Sequence, residues 1–302
     1  MGMINISDAW SPTVLRKHAA YVSTKIDHAL RAERGVGACA RLFISAHRKQ
    51  IILGSPAALR RVISCAEILK ECLSADQFNE FSADCRKVFN YESFSARALP
   101  NWGGYALCEA SRYSMCPYCH QAFAHTLVPD GVGSFRPTLD HYYPKSIYPY
   151  LALSIFNLVP SCYTCNSQLK GVKNFYEELH IHPLEEGSGE VDFVLNVRDY
   201  IEARRSGSGS PRVEVRPRSG AAINSISTFA LNRRFALNAA YLDSFVARVL
   251  EYVDGGGARA RVGCRIPFTL SEVDIIGFDA GNYRNEMLGK IKIDLYGILL
   301  AR

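Results

Sequence analysis

The sequence lacks the features that would place it among membrane, secreted or repetitive proteins. It has no run of about eighteen or more apolar residues, so we expect no membrane-spanning helix. The first residues contain no basic segment followed by an apolar core, so we expect no signal peptide. Internal repeats and low-complexity tracts are also absent. With 48% apolar and 21% charged residues, the composition indicates an ordinary globular protein, which we place in the cytoplasm.

A strongly basic tail is missing as well. The formal net charge is +6, and the excess of positive residues is diffuse. Such a balance permits nucleic-acid binding without requiring it. We therefore expect the chain alone to bind nucleic acid with modest affinity, or a partner to supply that affinity.

What the sequence does contain is ten cysteines, four of them in two CxxC pairs. The pairs are Cys116 with Cys119 and Cys162 with Cys165. Two such turns supply the four sulfur ligands that zinc prefers, and a closed set of this kind is structural. The alternative is two unrelated pairs of buried or redox-active thiols, although a thioredoxin-like site needs only one pair. The remaining cysteines are expected to be reduced, buried thiols.

Polar residues that a Cys₄ zinc site does not need, and that catalytic sites use, lie between and beside these two CxxC pairs. Asp140 and His141 follow a short extended run, Asn157 begins another, and Asn166 comes directly after the last cysteine of the pairs. The stretch after the second run has few helix breakers and ends at Gly171, a typical helix stop. The predicted order is therefore strand, loop, strand, short helix.

These residues, in this order, resemble an HNH endonuclease of the ββα-metal type. The signature positions are His141, Asn157 and Asn166, and the flanking CxxC pairs are similar to the zinc-knuckle subgroup of that family. The resemblance covers residues 116–171. It implies an α+β protein whose ββα-metal core, with its Cys₄ zinc site, is flanked by a mostly helical N-terminal region and a mixed α/β C-terminal region.

The resemblance also implies roles for the polar residues. His141 would be the general base, and Asn157 would fix the loop that orients it. Asp140 and Asn166 would hold one catalytic Mg²⁺ or Mn²⁺, since hard cations prefer oxygen ligands. Lys145 and Lys170 are candidate contacts to the nucleic-acid backbone. The expected reaction is hydrolysis of DNA phosphodiester bonds, with RNA as a further substrate class.

Two short stretches outside the motif, residues 181–184 and 231–234, are similar to HNH proteins of bacterial anti-phage defence systems such as Septu. That similarity implies an ATPase or sensor subunit as a partner. The rival interpretation, from a different functional class, is a non-catalytic zinc module that binds nucleic acid or a protein. Asp140, His141 and Asn166 discriminate between the two, because a pure zinc module has no use for an open site of oxygen ligands.

We expect three regions along the chain. Residues 1–110 form a helical region, residues 111–185 the nuclease core with its zinc knuckles, and residues 186–302 a region with a β-hairpin and helices. The strands of the hairpin are expected at 191–197 and 212–216, on either side of a flexible turn at 206–211.

Overall fold

The structure is a computed structural model that describes residues 5–32, 35–96, 100–128, 135–186, 191–207, 213–254 and 271–301. Within these ranges the chain combines helices with two separate two-stranded sheets, so it is a mixed protein of the predicted α+β type. The hydrophobic core is continuous from Ile6 to Leu299 and draws on all three expected regions. The boundaries near residues 110 and 185 stay predictions.

The first described part of the chain is helical. Its helices are α1 (Pro12–Arg31), α2 (Ala38–Leu53), α3 (Pro56–Cys72), α4 (Ala75–Val88), α5 (Tyr91–Ser95) and α6 (Gly104–Glu109). Serine caps begin α1, α3 and α4, as the sequence predicts, because the hydroxyls of Ser11, Ser55 and Ser74 accept hydrogen bonds from the first turn. Proline at the first helical position also favours the starts of α1 and α3.

The central unit has the predicted order of strand, loop, strand, helix. Strand β1 (Thr138–His141) pairs antiparallel with β2 (Leu158–Ser161), and Asp140 lies opposite Val159. The loop between them contains short 3₁₀ turns at Pro149–Leu151 and Ile155–Asn157. Helices α2, α3 and α4 pack on this loop, which buries it together with almost all of both strands. The N-terminal helices therefore support the central unit directly.

The helix after β2 is a π-helix (Thr164–Lys170), a detail that the sequence does not predict. Its wide winding is seen in the hydrogen bond from the Gly171 N–H to the Asn166 carbonyl, which spans five residues. Cys165 and Lys170 are both buried, although five residues of an α-helix would turn them about 140° apart. The π winding lets both side chains point into the protein.

The C-terminal region contains the second sheet. Its elements are β3 (Val191–Leu195), α7 (Val197–Arg205), β4 (Val213–Pro217), α8 (Gly220–Thr228), α9 (Leu231–Ala236), α10 (Ala239–Asp254), α11 (Glu272–Ile276) and α12 (Gly289–Leu300). Strands β3 and β4 pair antiparallel as the predicted hairpin requires, and the connection between them contains helix α7, which the sequence does not predict. Asn196 caps α7 by accepting from two backbone N–H groups and so ends the strand early. The expected flexible turn lies largely outside the described residues.

Two long helices expected in this region are interrupted. The segment 231–253 divides into α9 and α10 around residues 237–238. The helix expected over 282–300 becomes a 3₁₀ segment (Ala280–Asn285) followed by α12, with Leu288 in the left-handed region at φ 58°. That turn lets the Leu288 N–H donate to the His120 carbonyl at 2.7 Å. The C-terminal helix is thereby tied to the first CxxC turn. No helix in the described ranges has the length and apolar character needed to cross a bilayer.

Candidate metal centre and adjoining cleft

The four cysteines of the two CxxC pairs come together in space. The sulfurs of Cys116, Cys119, Cys162 and Cys165 all lie within 4.8 Å of one another, and Cys116, Cys119 and Cys165 are buried. A cluster of four thiols at this separation can hold a metal such as zinc, and it leaves no place for a substrate. The predicted Cys₄ site is therefore present as a set of ligands.

Neighbouring groups shift the thiol pKa values of this cluster in opposite directions, and burial raises the pKa of Cys116 well above its usual value. Hydrogen bonds from Cys116, Cys162 and Cys165 lower the pKa of Cys119 far below its usual value. The Arg234 guanidinium donates to the Cys165 sulfur at 3.3 Å. Its positive charge offsets part of the negative charge that four thiolates bring together.

Cysteines outside the cluster have no common environment. All those in the described ranges are free thiols. Cys85 and Cys108 are buried as expected, and burial raises the pKa of Cys108 to about 12. Cys65 and Cys72 are exposed on α3, so the expectation of burial is wrong for these two. Cys264 lies outside the described residues.

The carboxylate of Asp140 lies beneath the surface with two protein partners. The Lys170 ammonium approaches one carboxylate oxygen at 2.7 Å, and both side chains are 2% exposed. The Tyr118 hydroxyl donates to the other oxygen at 2.5 Å. The same Lys170 ammonium also donates to the His141 carbonyl at 2.6 Å. This ion pair fixes the end of β1 against the π-helix.

The geometry of His141 defines its tautomer. Its Nε2 lies 3.0 Å from the Ala152 carbonyl, and a carbonyl can only accept, so Nε2 carries the proton. Nδ1 of the neutral ring then keeps a free lone pair, and no donor to it is present within the described residues. Tyr91 packs edge-on against the ring at 4.3 Å between centroids. Burial lowers the pKa of His141 to about 4, so the imidazole is neutral near pH 7.

Three consecutive backbone carbonyls of the β1–β2 loop each accept from a different side chain. Asn157 donates to the Leu151 carbonyl at 3.0 Å, His141 faces the Ala152 carbonyl, and Nε2 of His18 lies 2.7 Å from the Leu153 carbonyl. The segment 151–153 thus joins β1, the 3₁₀ turn before β2 and helix α1 at one place.

Asn157 is fully buried and holds the loop on both sides. Its amide oxygen accepts from the Tyr143 N–H at 2.7 Å, and its amide nitrogen donates to the Tyr143 carbonyl at 3.1 Å. With its bond to the Leu151 carbonyl, it fixes the chain directly after His141 as well as the segment that His141 contacts. The role of Asn157 in orienting His141 for a reaction stays a prediction.

A cleft of about 470 Å³ opens beside this arrangement. Five of the residues that the sequence marks line it together: Asp140, His141, Lys145, Asn166 and Lys170. Asn166 is half-buried, and within the described residues its side-chain amide has no hydrogen-bond partner. Asn157 and the thiol cluster lie behind the cleft and not in its lining.

The donor set of the cleft fits a hard divalent cation. Amide and carboxylate oxygens are the ligands that Mg²⁺ and Mn²⁺ prefer. Each carboxylate oxygen has two lone pairs, so Asp140 keeps acceptor capacity beside Lys170 and Tyr118. Asn166 and Asp140 are the residues that would hold such an ion.

The two lysines predicted to contact nucleic acid lie in different settings. Lys145 is partly exposed and forms an ion pair with Glu92 at 2.5 Å. Lys170 is instead 3% exposed and committed to Asp140, so it does not belong to an exposed basic surface.

Several residues of the site carry no recognisable sequence signal. Tyr91 comes from helix α5, far before the motif, and Arg136 lines the cleft from the chain preceding β1. Tyr118 lies inside the first CxxC turn, where nothing in the sequence marks its bond to Asp140.

His182 lies outside the lining of the cleft. It is 1% exposed and packs on Tyr142 at 3.9 Å between ring centroids, as a packing residue would.

Comparisons of the chain with protein-family models, with curated proteins and with solved structures find no match.

Proposed function

We propose that the protein is a metal-dependent endonuclease of the HNH type that hydrolyses phosphodiester bonds of DNA. The observation that carries the proposal is the orientation of His141. Its Nε2 proton is held by the Ala152 carbonyl, which leaves Nδ1 as the basic nitrogen of a ring at the edge of the cleft. Asp140 and Asn166 line the same cleft.

Each residue then has a role in the reaction. His141 accepts the proton of the attacking water through Nδ1. Asn157 keeps the ring in place by bonding to both chain segments that border it. A divalent cation held by Asp140 and Asn166 would neutralise charge on the scissile phosphate and assist the leaving oxygen. Lys170 and Tyr118 hold the Asp140 carboxylate in one orientation.

The defence role and the ATPase or sensor partner rest on the sequence resemblance alone and stay proposals, as does the cytoplasmic location. A second function, the non-catalytic zinc module, is favoured by one observation. The Asp140 carboxylate has a buried ammonium and a hydroxyl as partners, which a purely structural ion pair would also show.

The test is cleavage of plasmid DNA and of RNA in Mg²⁺, in Mn²⁺ and in EDTA. His141→Ala should lower the rate by about 10²–10⁴-fold, the usual worth of a positioned acid–base group, while folding and zinc content stay unchanged. His125→Ala is the matched control, since His125 is exposed and does not line the cleft. Absence of metal-dependent cleavage by the wild-type protein would reject the nuclease and favour the zinc module. Cleavage by His141→Ala at the wild-type rate would reject His141 as the general base.

A further inference from the structure

We propose that the surface on both sides of Lys145, next to His141, is a groove that binds the phosphodiester backbone of a nucleic-acid strand, with helices α4 and α5 contributing one wall. The inference rests on the proposed function and assigns its substrate-binding residues. We call this surface the phosphate groove and define it by Arg86, Tyr91, Arg136, Lys145 and Ser146.

The groove consists of two adjoining cavities. The cleft of about 470 Å³ beside His141 shares Tyr91, Lys145 and Ser146 with a second cavity of about 290 Å³. Arg136 lines only the first cavity and Arg86 only the second. Because the shared residues lie at the junction, these two arginines lie on opposite sides of Lys145. The three cations therefore follow one another from the second cavity into the first, and His141 lines the first cavity together with Arg136.

Two of these cations have no acidic partner within the described residues. The Arg136 guanidinium donates to neutral oxygens, at 2.6 Å to the Ser95 hydroxyl and at 2.8 Å to the Pro137 carbonyl. Its position is fixed further by the Tyr105 ring at 5.3 Å. Arg86 is exposed near the end of α4. An arginine that is held in place but not neutralised is suited to contact a phosphate group.

The third cation, Lys145, carries a partner that a phosphate can replace. Its ion pair with Glu92 measures 2.5 Å, but the two side chains are 39% and 73% exposed. Pairs as exposed as this one contribute little to stability, because water and salt screen them. An incoming phosphate therefore exchanges with the Glu92 carboxylate at small cost. Glu92 acts as an internal competitor at the junction of the groove.

The proposed groove gives the N-terminal helical region a role in binding substrate. The length of chain outside the motif favours the N-terminal and C-terminal regions together as the parts that hold a protein partner. In the structure the α4 and α5 segments of the N-terminal region supply Arg86, Tyr91 and Ser95 to the two adjoining cavities, the first of which contains His141. The region is thus part of the substrate site.

The experiment measures binding by fluorescence anisotropy over a range of salt concentrations, in buffer without Mg²⁺, Mn²⁺ or chelator, so that no cleavage occurs and the thiol cluster keeps its metal. The probes are fluorescein-labelled single-stranded DNA, the corresponding duplex and RNA of the same sequence. Arg136→Gln and Arg86→Gln should each weaken binding and reduce the slope of log K against log salt. The expected reduction is about 0.7 for single strands and about 0.9 for duplex DNA per lost contact. The probe with the largest change identifies the form of strand that the groove accepts.

Three further variants test whether the change in slope comes from the charges of the groove residues themselves. Arg61→Gln removes an exposed arginine from α3 outside both cavities and should leave the slope unchanged. Arg136→Lys keeps the charge and should keep the slope, which separates charge from folding. Glu92→Gln should tighten binding by about two- to fivefold, since it removes the competing carboxylate.

The outcomes separate this inference from the proposed function. Equal slopes for Arg136→Gln, Arg86→Gln and Arg61→Gln would overturn the groove, even if His141→Ala abolishes cleavage and the nuclease assignment stands. Reduced slopes together with tighter binding by Glu92→Gln would support the groove. Reduced slopes without any metal-dependent cleavage by the wild-type protein would remove the nuclease and leave a nucleic-acid-binding surface.

Discussion

The π-helix separates two sites that the protein builds in opposite ways. On one side, four sulfurs from two local turns close around a single point, and Arg234 supports them from outside. On the other side, Asp140, His141 and Asn166 come from different elements and face an open cleft. The first set is complete within the chain, whereas the second leaves room for water, cation and phosphate. The closed site therefore serves the fold, and the open site is the one available for chemistry.

The largest effect should follow from opening the closed site. Cys116→Ser or Cys162→Ser should cause unfolding or aggregation, because short strands and turns of this size depend on metal binding for their folding free energy. Soluble yield, circular dichroism and zinc content measure the result. Cys72→Ser, an exposed thiol on α3, is the matched control and should behave as wild type. Folded wild-type protein without zinc would contradict this prediction.

A smaller but substantial effect should follow from removing the carboxylate of the open site. Asp140→Ala leaves the Lys170 ammonium buried without its counter-ion. Loss of one partner of a buried pair costs about 3–5 kcal/mol of unfolding free energy. Chemical denaturation should therefore detect a destabilised protein, in addition to the loss of cleavage expected for a missing cation ligand.

The double variant Asp140→Ala/Lys170→Met sharpens this prediction. It removes both charges and should recover part of the stability without restoring cleavage. Asp27→Ala breaks the half-exposed pair with Arg48 and should leave the free energy of unfolding nearly unchanged. If Asp140→Ala is as mild as Asp27→Ala, the pair does not hold β1 against the π-helix.

The smallest effect concerns the pH dependence of the free energy of unfolding, to which His18 of helix α1 contributes. Burial lowers the pKa of His18 to about 4, against an ordinary value of 6.5. Between these values the unfolded state takes up a proton that the folded state does not. The free energy of unfolding should therefore fall on acidification, with His18 contributing up to about 1.4 kcal/mol per pH unit. Above pH 6.5 the contribution is complete.

The contribution of His18 is measured as a difference between variants, because other buried histidines titrate as well. His18→Gln should flatten the dependence of unfolding free energy on pH between about 6.5 and 4. His28→Gln changes an exposed histidine of the same helix and should leave the dependence unaltered. Parallel curves for wild type and His18→Gln would show that His18 does not titrate in this way.

The two sites also differ in how much of them the sequence predicts. The thiol cluster follows from spacing, since each CxxC turn places its own two sulfurs and only the meeting of the turns requires the fold. The strand order and the place of Asn166 on the following helix follow from local propensity and breakers. The ion pair of Asp140 with Lys170 does not, because it depends on a π-helix that periodicity does not reveal.

Residues contributed from a distance escape sequence reasoning for a related reason. Tyr91 contacts His141 only because α5 is brought onto the loop by helix packing. The break at Leu288 arises from bonds to His120, a partner far away in the chain. No pattern within a short window carries that information.

The three successive carbonyls at 151–153 limit how the chain can be truncated. They bind side chains from regions that the sequence predicts to be separate, since His18 belongs to the helical region and His141 to the core. A fragment cut at residues 111–185 would leave the Leu153 carbonyl without its imidazole and remove the Tyr91 ring from His141. The recognisable motif is therefore shorter than the smallest piece of chain that can hold its histidine in place.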